Sequence, residues 1–563
     1  MGVNEMGLLC KNILKQILNN KVFVGLLGIL SFLTSLSYFF VKFSIDGNLA
    51  NLEQLATLSE NQVLYRNALL SNTTLANIFL LSTCSLTAFV FAMFFYRFHR
   101  TNKSKLGCLK ALGYKDREIG ACFALFTVLI SIIGGLFGIL GGYFLSEVLV
   151  SANERSYAVN DLVKYVNPLS VICGIGIPVM VYLVITFLCF QMIRGKEPGV
   201  LMSGRTPFKK LGFTFRLTDH IVKCLPVKEK FPYRIALRKP VAVLMIFIGI
   251  LVFNVCVILG QSLNKSSQKI MDSQMEGRSY TYELQLEEIT AQKVPENAVS
   301  YLTTSVKVLA NNEKLEQNIV GISRENDFFC LLDEQKNVLS LPKKGEVYIN
   351  PGLAELYGVK EGDTLSILQN GMEKELTVVA VVSNAEKDSI YCNIEELQAF
   401  MNCGAESYNG LWGEEKIEGT GEITSWGQRV EQLERDSVSG KVSAVINQAT
   451  GAIVGMILLF LSLFLNFQDN KKDMQILRLI GYQDKDIRHI FVDIYWKIVV
   501  VFFIIAIIPG ILIAQAIQRV LSVAIGDFMP FCMNLGVVVV LFLVLSVLYF
   551  LVKTIFAREV RKV

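Results

Sequence analysis

Histidine and tryptophan are nearly absent from this 563-residue chain, at three each, and only 18% of its side chains are charged. The histidines, His99, His220 and His489, all lie outside the long polar interval 262–448. That interval therefore cannot assemble a Ser-His-Asp triad or a histidine zinc site, and no catalytic or metal-ligating residue is expected. No Gly-x-x-x-x-Gly-Lys-Ser/Thr run occurs; Gly195-Lys196-Glu197 and Gly440-Lys441-Val442 lack both the hydroxyl and the preceding glycine. The chain is thus not expected to hydrolyse ATP, and no cofactor of its own is expected. Charges are also scarce in the middle of the apolar segments. Asp493 and Lys497 stand near an end, where they can snorkel, which argues against an ion-coupled carrier. Of twelve cysteines only Cys330, Cys392 and Cys403 fall in the polar interval, so one bridge at most is available there. The others are expected to behave as small apolar residues.

What the chain has in abundance is apolar sequence, 52% of its residues. A membrane span needs roughly twenty such residues, and eight segments qualify, near 22–41, 76–96, 121–145, 169–191, 241–259, 449–467, 498–517 and 536–552. The first is too long for a signal-peptide core and has no small-residue cleavage site before Lys42. Lysine and arginine concentrate at Lys11, Lys15, Lys21, Arg97, Arg100, Lys103, Lys105 and Lys110. They recur from Arg194 to Lys239, at Lys471, Lys472, Arg478 and Arg488, and at Arg558, Arg561 and Lys562. The positive-inside bias then places these segments and both termini in the cytoplasm. The interval 262–448 falls outside a cell membrane crossed many times. It carries 30 acidic against 17 basic side chains, whereas the chain as a whole is +5. Such a surface serves solubility, and it would also attract a cationic ligand such as a basic peptide.

A repeat organises the whole. Residues 103–119, KSKLGCLKALGYKDREI, return at 471–487 as KKDMQILRLIGYQDKDI, 368 positions later and without a gap. Asn102 and Asn470, Leu109 and Leu477, Gly113 and Gly481, Tyr114 and Tyr482, Asp116 and Asp484, and Ile119 and Ile487 coincide. Leu106, Leu109 and Leu112, like Met474, Leu477 and Ile480, are spaced for one helical face. Gly113 and Gly481 stand where a helix needs a left-handed residue to stop, and Asp116 and Asp484 are placed to cap the helix that follows. The expected product is a basic, apolar knob that docks on a cytoplasmic partner.

Each half reads as a basic amphipathic lead-in (8–21 and 233–239), a span, an exterior segment, a span, the repeated element and two closing spans. Gly134, Gly135, Gly138, Gly141 and Gly142 offer a small-residue face for close helix packing. At the equivalent place Pro509-Gly510 is expected to loosen or kink the helix. The exterior interval alternates strand and helix signals. Strands are expected at 281–287, 345–350, 364–368, 376–382 and 390–394, with Asn370-Gly371 as a hairpin turn. Helices are expected at 351–357 and 395–401, and 262–275 and 425–436 read as a helical stalk that Gly440 could break. The fold class is an α-helical polytopic membrane protein of about eight spans with an α+β extracytoplasmic domain. Its parts are an interfacial helix (1–21), a first unit (22–193), a linker (194–238), a fifth span (239–261), the exterior domain (262–448), the rest of the second unit (449–553) and a tail (554–563).

The sequence resembles the FtsX-like permeases of ABC transporters. The resemblance rests on Leu109-Lys110-Ala111-Leu112-Gly113-Tyr114 with Ile119, and Leu477-Arg478-Leu479-Ile480-Gly481-Tyr482 with Ile487. The second copy has Ile480 in place of leucine before its glycine. The run 345–350 with Ala354-Glu355-Leu356-Tyr357-Gly358-Val359 and Gly362-Asp363-Thr364-Leu365 is similar to the exterior core of MacB-type members. This resemblance implies that the repeated element couples to a separate ABC ATPase, present in two copies, and that the ATP is bound by that partner. It also implies export or removal of peptides or lipopeptides, including antimicrobial peptides. Regulation of an exterior cell-wall hydrolase, or ligand sensing with a membrane kinase, are the alternatives. Only the second half carries a large exterior domain, a departure from the MacB and LolC/LolE proteins.

Overall fold

The computed structural model describes residues 3–55, 57–157, 159, 161–202, 226–237, 240–310, 313–323, 326–369, 371–416, 419–525 and 527–562. His220, Lys239 and Asn370 lie outside them. Helix α1 (Val3–Leu18) leads in, followed by α2 (Lys21–Glu53), α3 (Glu60–Thr101), α4 (Lys103–Ala111), α5 (Asp116–Tyr157) and α6 (Pro168–Phe190). Short α7 (Pro198–Met202) and α8 (Val227–Leu237) precede α9 (Pro240–Met275). The head contains β1 (Tyr282–Thr290), β2 (Ala298–Ala310), β3 (Glu313–Ile322), β4 (Glu346–Ile349), α10 (Pro351–Tyr357), β5 (Thr364–Gln369) and β6 (Met372–Val381). It continues with β7 (Ser389–Asn393), α11 (Ile394–Met401), β8 (Tyr408–Gly413) and β9 (Gly421–Ser425). The chain then returns through α12 (Trp426–Leu479), α13 (Asp484–Arg488), a π turn (His489–Asp493), α14 (Ile494–Ile525) and α15 (Leu535–Lys562).

Among the described residues seven helices are long and apolar enough to cross a membrane. The eighth expected span, 449–467, lies inside the 54-residue α12, of whose apolar stretch Ala444–Leu458 falls among the described residues. The molecule is a polytopic helical membrane protein with a separate α+β domain.

Small residues bring the helices together. A Cβ on Gly134, Gly138 or Gly142 would meet Ser31, Ser35 or Phe39 of α2 at 2.5–2.6 Å, so α5 approaches α2 along one four-residue ridge. Gly135 faces Ile175 of α6, and Gly141 faces Leu36. The second half does the same between α9 and α12, where a Cβ on Gly455 would lie 2.8 Å from the Phe253 backbone. Helix α14 continues through Pro509, and Gly510 packs toward Asn254 of α9. The departure from α geometry in this helix run comes earlier, in the π turn. The halves are joined through α12, whose Val454, Ile457, Leu458 and Leu461 share one core with Phe23, Leu27 and Phe94 of the first half.

The cysteine expectation needs one correction. Cys10 of α1 and Cys122 of α5 form a disulfide, with Cα atoms 5.1 Å apart. The buried face of α1, Leu9, Ile13 and Ile17, seats that helix against the bundle and aligns the pair. Cys330, Cys392 and Cys403 are free thiols.

In the head, strand order is β3-β7-β4-β6-β5-β2-β8-β1-β9, and β3 also pairs with β2. Six strands therefore close a ring around Leu302, Val308, Val347, Ile367 and Ile390, and β8, β1 and β9 extend it. Strands β1 and β9 are antiparallel neighbours, Tyr282 opposite Ser425, which holds the ends of α9 and α12 side by side. A capping box starts α12, with Ser425 accepting from the Gln428 amide and Gln428 Oε1 accepting from the Ser425 amide. The helix then runs unbroken through Gly440. Residues 262–275 and 426–436 are helical, and Gly440 does not break the second helix, because a single glycine costs only about 1 kcal/mol in a long helix.

Gly138→Leu is expected to cost about 1–3 kcal/mol, read as a lower melting temperature in detergent. Gly176→Leu, where no neighbour lies within 4 Å, should leave it unchanged.

Candidate functional site

Both copies of the repeated element end a helix in the same way. In the first, the Gly113 N–H donates to Lys110 O (3.0 Å) and the Tyr114 N–H to Leu109 O (3.3 Å). In the second, the Gly481 N–H donates to Arg478 O (3.0 Å) and the Tyr482 N–H to Leu477 O (3.1 Å). This paired bonding is a Schellman motif. It needs a left-handed residue, and Gly113 and Gly481 have φ of +96° and +101°.

The aspartates do not cap as expected. Asp116 and Asp484 are the first residues of α5 and α13, one position inside the cap. Each instead reaches back across the turn to a base. Lys110 Nζ lies 2.6 Å from Asp116, and Arg478 pairs with Asp484. Lys110 and Arg478 are 368 positions apart, as are the two aspartates, so the clip itself is duplicated. At the start of α5 the Glu118 carboxylate reaches back and accepts from the Lys115 amide (2.9 Å).

The leucine stripe divides rather than burying as one face. Leu106 and Met474 are buried at the base, Leu109 and Leu477 are half-buried, and Leu112 and Ile480 are 73% and 68% exposed at the tip. Leu479 is 88% exposed, and Ile476 and Tyr482 are exposed beside it. Ile119 and Ile487 are buried and anchor the re-entering chain.

The two copies differ in support. Lys110 also donates to Ile193 O (2.9 Å) and Lys196 O (3.1 Å), and the Gly195 N–H donates to Asp116 Oδ2 (3.0 Å). Gly107 of α4 packs on Leu201 and Met202 of α7. A break at Asn102 separates α3 from α4, whereas α12 runs continuously into the second turn. The second turn is thus the end of a rod about 80 Å long.

At the other end of that rod is a charge cluster that sequence reading missed. Arg278, after α9, and Arg429, in the first turns of α12, both pair with Glu386 from the β6–β7 connection. Arg429 also pairs with Glu283 of β1 (3.4 Å), which accepts from Tyr301 (2.8 Å) and Trp412 (3.0 Å). Arg278 is 1% exposed, donates to Gln274 O at the end of α9 (2.6 Å) and lies over Phe329. Burial pushes the Glu386 carboxyl up, but Arg429 and Arg278 outweigh it and hold the group below its usual range. Opposite charges flanking the ends of two stalk helices were the only sequence signal, and four dispersed residues do not form a motif.

Two histidines fall among the described residues. His99 is buried against Phe95, Phe123 and Phe190, and His489 opens the π turn. No cluster of three or more potential metal ligands occurs among the described residues.

Three outcomes are expected. Gly481→Val forces a β-branched residue into the left-handed region and costs about 1–2 kcal/mol, measured by thermal unfolding. Exchange of the clip charges (Arg478→Asp with Asp484→Arg) restores stability lost in either single variant. The third concerns pH: a folded-state pKa held low contributes stability above the unfolded value, about 4.3, and loses it as pH falls through the folded one. Head–stalk stability should therefore be full at neutral pH and decline in acid below about pH 4, with Glu386→Gln flattening that decline.

Residues 77–198 and 449–563 each match the FtsX-like permease C-terminal family. No curated protein matches the chain. The two matched regions contain the two Gly-Tyr turns and the helices that follow them. The chain carries an FtsX-like permease domain in two regions.

Proposed function

We propose that this chain is the membrane subunit through which a separate ABC ATPase moves the 262–448 head. Both termini and the twin turns face the cytoplasm, the head lies outside, and one ATPase engages each turn. The observation that carries the proposal is the continuity of α12. One helix holds the Arg429 cluster at its start and the Gly481 turn at its end. Such a rod transmits displacement without a hinge, and α9 beside it shares the Glu386 anchor. The exposed apolar tips, Leu112, Leu479 and Ile480, are suited to a groove on the ATPase, and the clips fix the turns that present them.

The acidic head supports basic peptides or lipopeptides as the substrate, removed from the outer face of the cell membrane. The duplication supports one chain supplying both permease units, since α12 packs into the first half's core. Defence against antimicrobial peptides fits both features.

Co-purification from the native membrane tests the coupling. Intact protein should bring down an ATP-hydrolysing subunit, and Leu112→Asp with Leu479→Asp should reduce its recovery about tenfold or more, through the cost of burying a charge. Equal recovery would reject the turns as the contact. ATP turnover stimulated by a cationic peptide supports removal of peptides; turnover that instead needs a cell-wall hydrolase supports regulation of that enzyme.

A further inference from the structure

A cavity of about 340 Å³ opens between the first turns of α5 and the end of α6. Gly120, Ala121 and Ala124 form its α5 wall, and their small side chains leave the room. Phe187 and Phe190 make the facing wall. Its mouth carries two guanidinium groups, Arg117 and Arg194, both exposed. The Asp116 carboxylate at that mouth is committed to Lys110 and to the Gly195 amide. Neither arginine has an ion pair among the described residues; Arg194 packs over the Phe187 ring, 5.9 Å from its centre, and its charge also acts at longer range on the Asp116 carboxylate.

The position gives this chemistry its meaning. Arg117 is the second residue of a 42-residue apolar helix, and Arg194 follows the end of the next span. Both therefore stand at the polar boundary of the bilayer, and the apolar slot continues from them into the hydrocarbon depth. Leu125, Leu129 and Leu188 nearby are exposed, as a lipid-facing surface requires. Two cations over a slot lined with small and aromatic residues suit a phosphodiester joined to a hydrocarbon chain. A headgroup with its own cation would place that charge against both arginines.

We propose that this groove binds an anionic glycerophospholipid of the surrounding bilayer, its phosphate on Arg117 and Arg194 and one acyl chain between Ala124 and Phe187. The bound headgroup lies beside Asp116, and so beside the clip of the first turn. The proposal does not depend on which ATPase that turn contacts or whether it contacts one.

The test uses full-length protein reconstituted in nanodiscs of equal phosphatidylglycerol and phosphatidylcholine, with retained lipid counted by native mass spectrometry. Phosphatidylglycerol should be enriched among tightly retained lipids. Arg117→Gln with Arg194→Gln should reduce that enrichment, by about fivefold for each arginine, without shifting the melting temperature. Ala124→Trp should displace the lipid while both arginines remain, and unchanged melting would show that the variant folds. No headgroup preference, full enrichment in the double arginine variant, or crosslinking of position 121 to a protein rather than a lipid would each overturn the proposal.

Discussion

Arg278 and Arg429 reach Glu386 from the ends of two different stalk helices, and the cluster resists separation because the two guanidinium groups, 1% and 16% exposed, would be left poorly hydrated without their carboxylate. The cost of losing a partner falls mainly on Arg278, whose side chain is 1% exposed, whereas Glu386 keeps 40% of its side chain in water, which screens its share. The cluster thus joins α9 and α12 to the sheet more firmly than apolar contact alone. Strands β1 and β9 reinforce it, since their pairing fixes the spacing of the helices they continue. A rod is useful only when its ends are fixed to something. Here one end is fixed by charge and the other by a left-handed glycine turn clipped across by an ion pair.

Inside the membrane portion a different constraint operates. Lipid offers no hydrophobic incentive for helices to associate, so close backbone approach must supply the cohesion. Both halves use it, through the Gly134, Gly138 and Gly142 ridge on α2 and through Gly455 on α9. Helix α12 then enters the core of the first half with Leu458 and Leu461. The two units are interlocked through a helix that also serves as the stalk.

The sequence made the spans, the repeat and the stalk legible because each leaves a periodic or compositional trace. Helix α10 matches the expected 351–357, and β5, β6 and β7 match within a few residues. Strands β2 and β3, β8 and β9 left weaker traces: β2 opens with five consecutive buried residues, which lack the alternation of a half-exposed strand. The capping boxes at Ser59–Gln62 and Ser425–Gln428 were present as Ser-x-x-Gln. The clip was hidden for another reason. Asp after a glycine turn reads as a cap, and only the backbone register shows that it has moved one residue inward, where its carboxylate meets Lys110 or Arg478. The Arg278–Glu386–Arg429 cluster depends on tertiary proximity and had no local signature.

The first turn is tied to α7 and to the carbonyls after α6, whereas the second ends a continuous helix and has no such tie among the described residues. Their compliance is therefore unequal. Equal loads applied at both points would deflect the free tip further than the braced one, and the difference would emerge at the far end as rotation. A lever with one stiff and one yielding grip twists what it holds instead of lifting it straight.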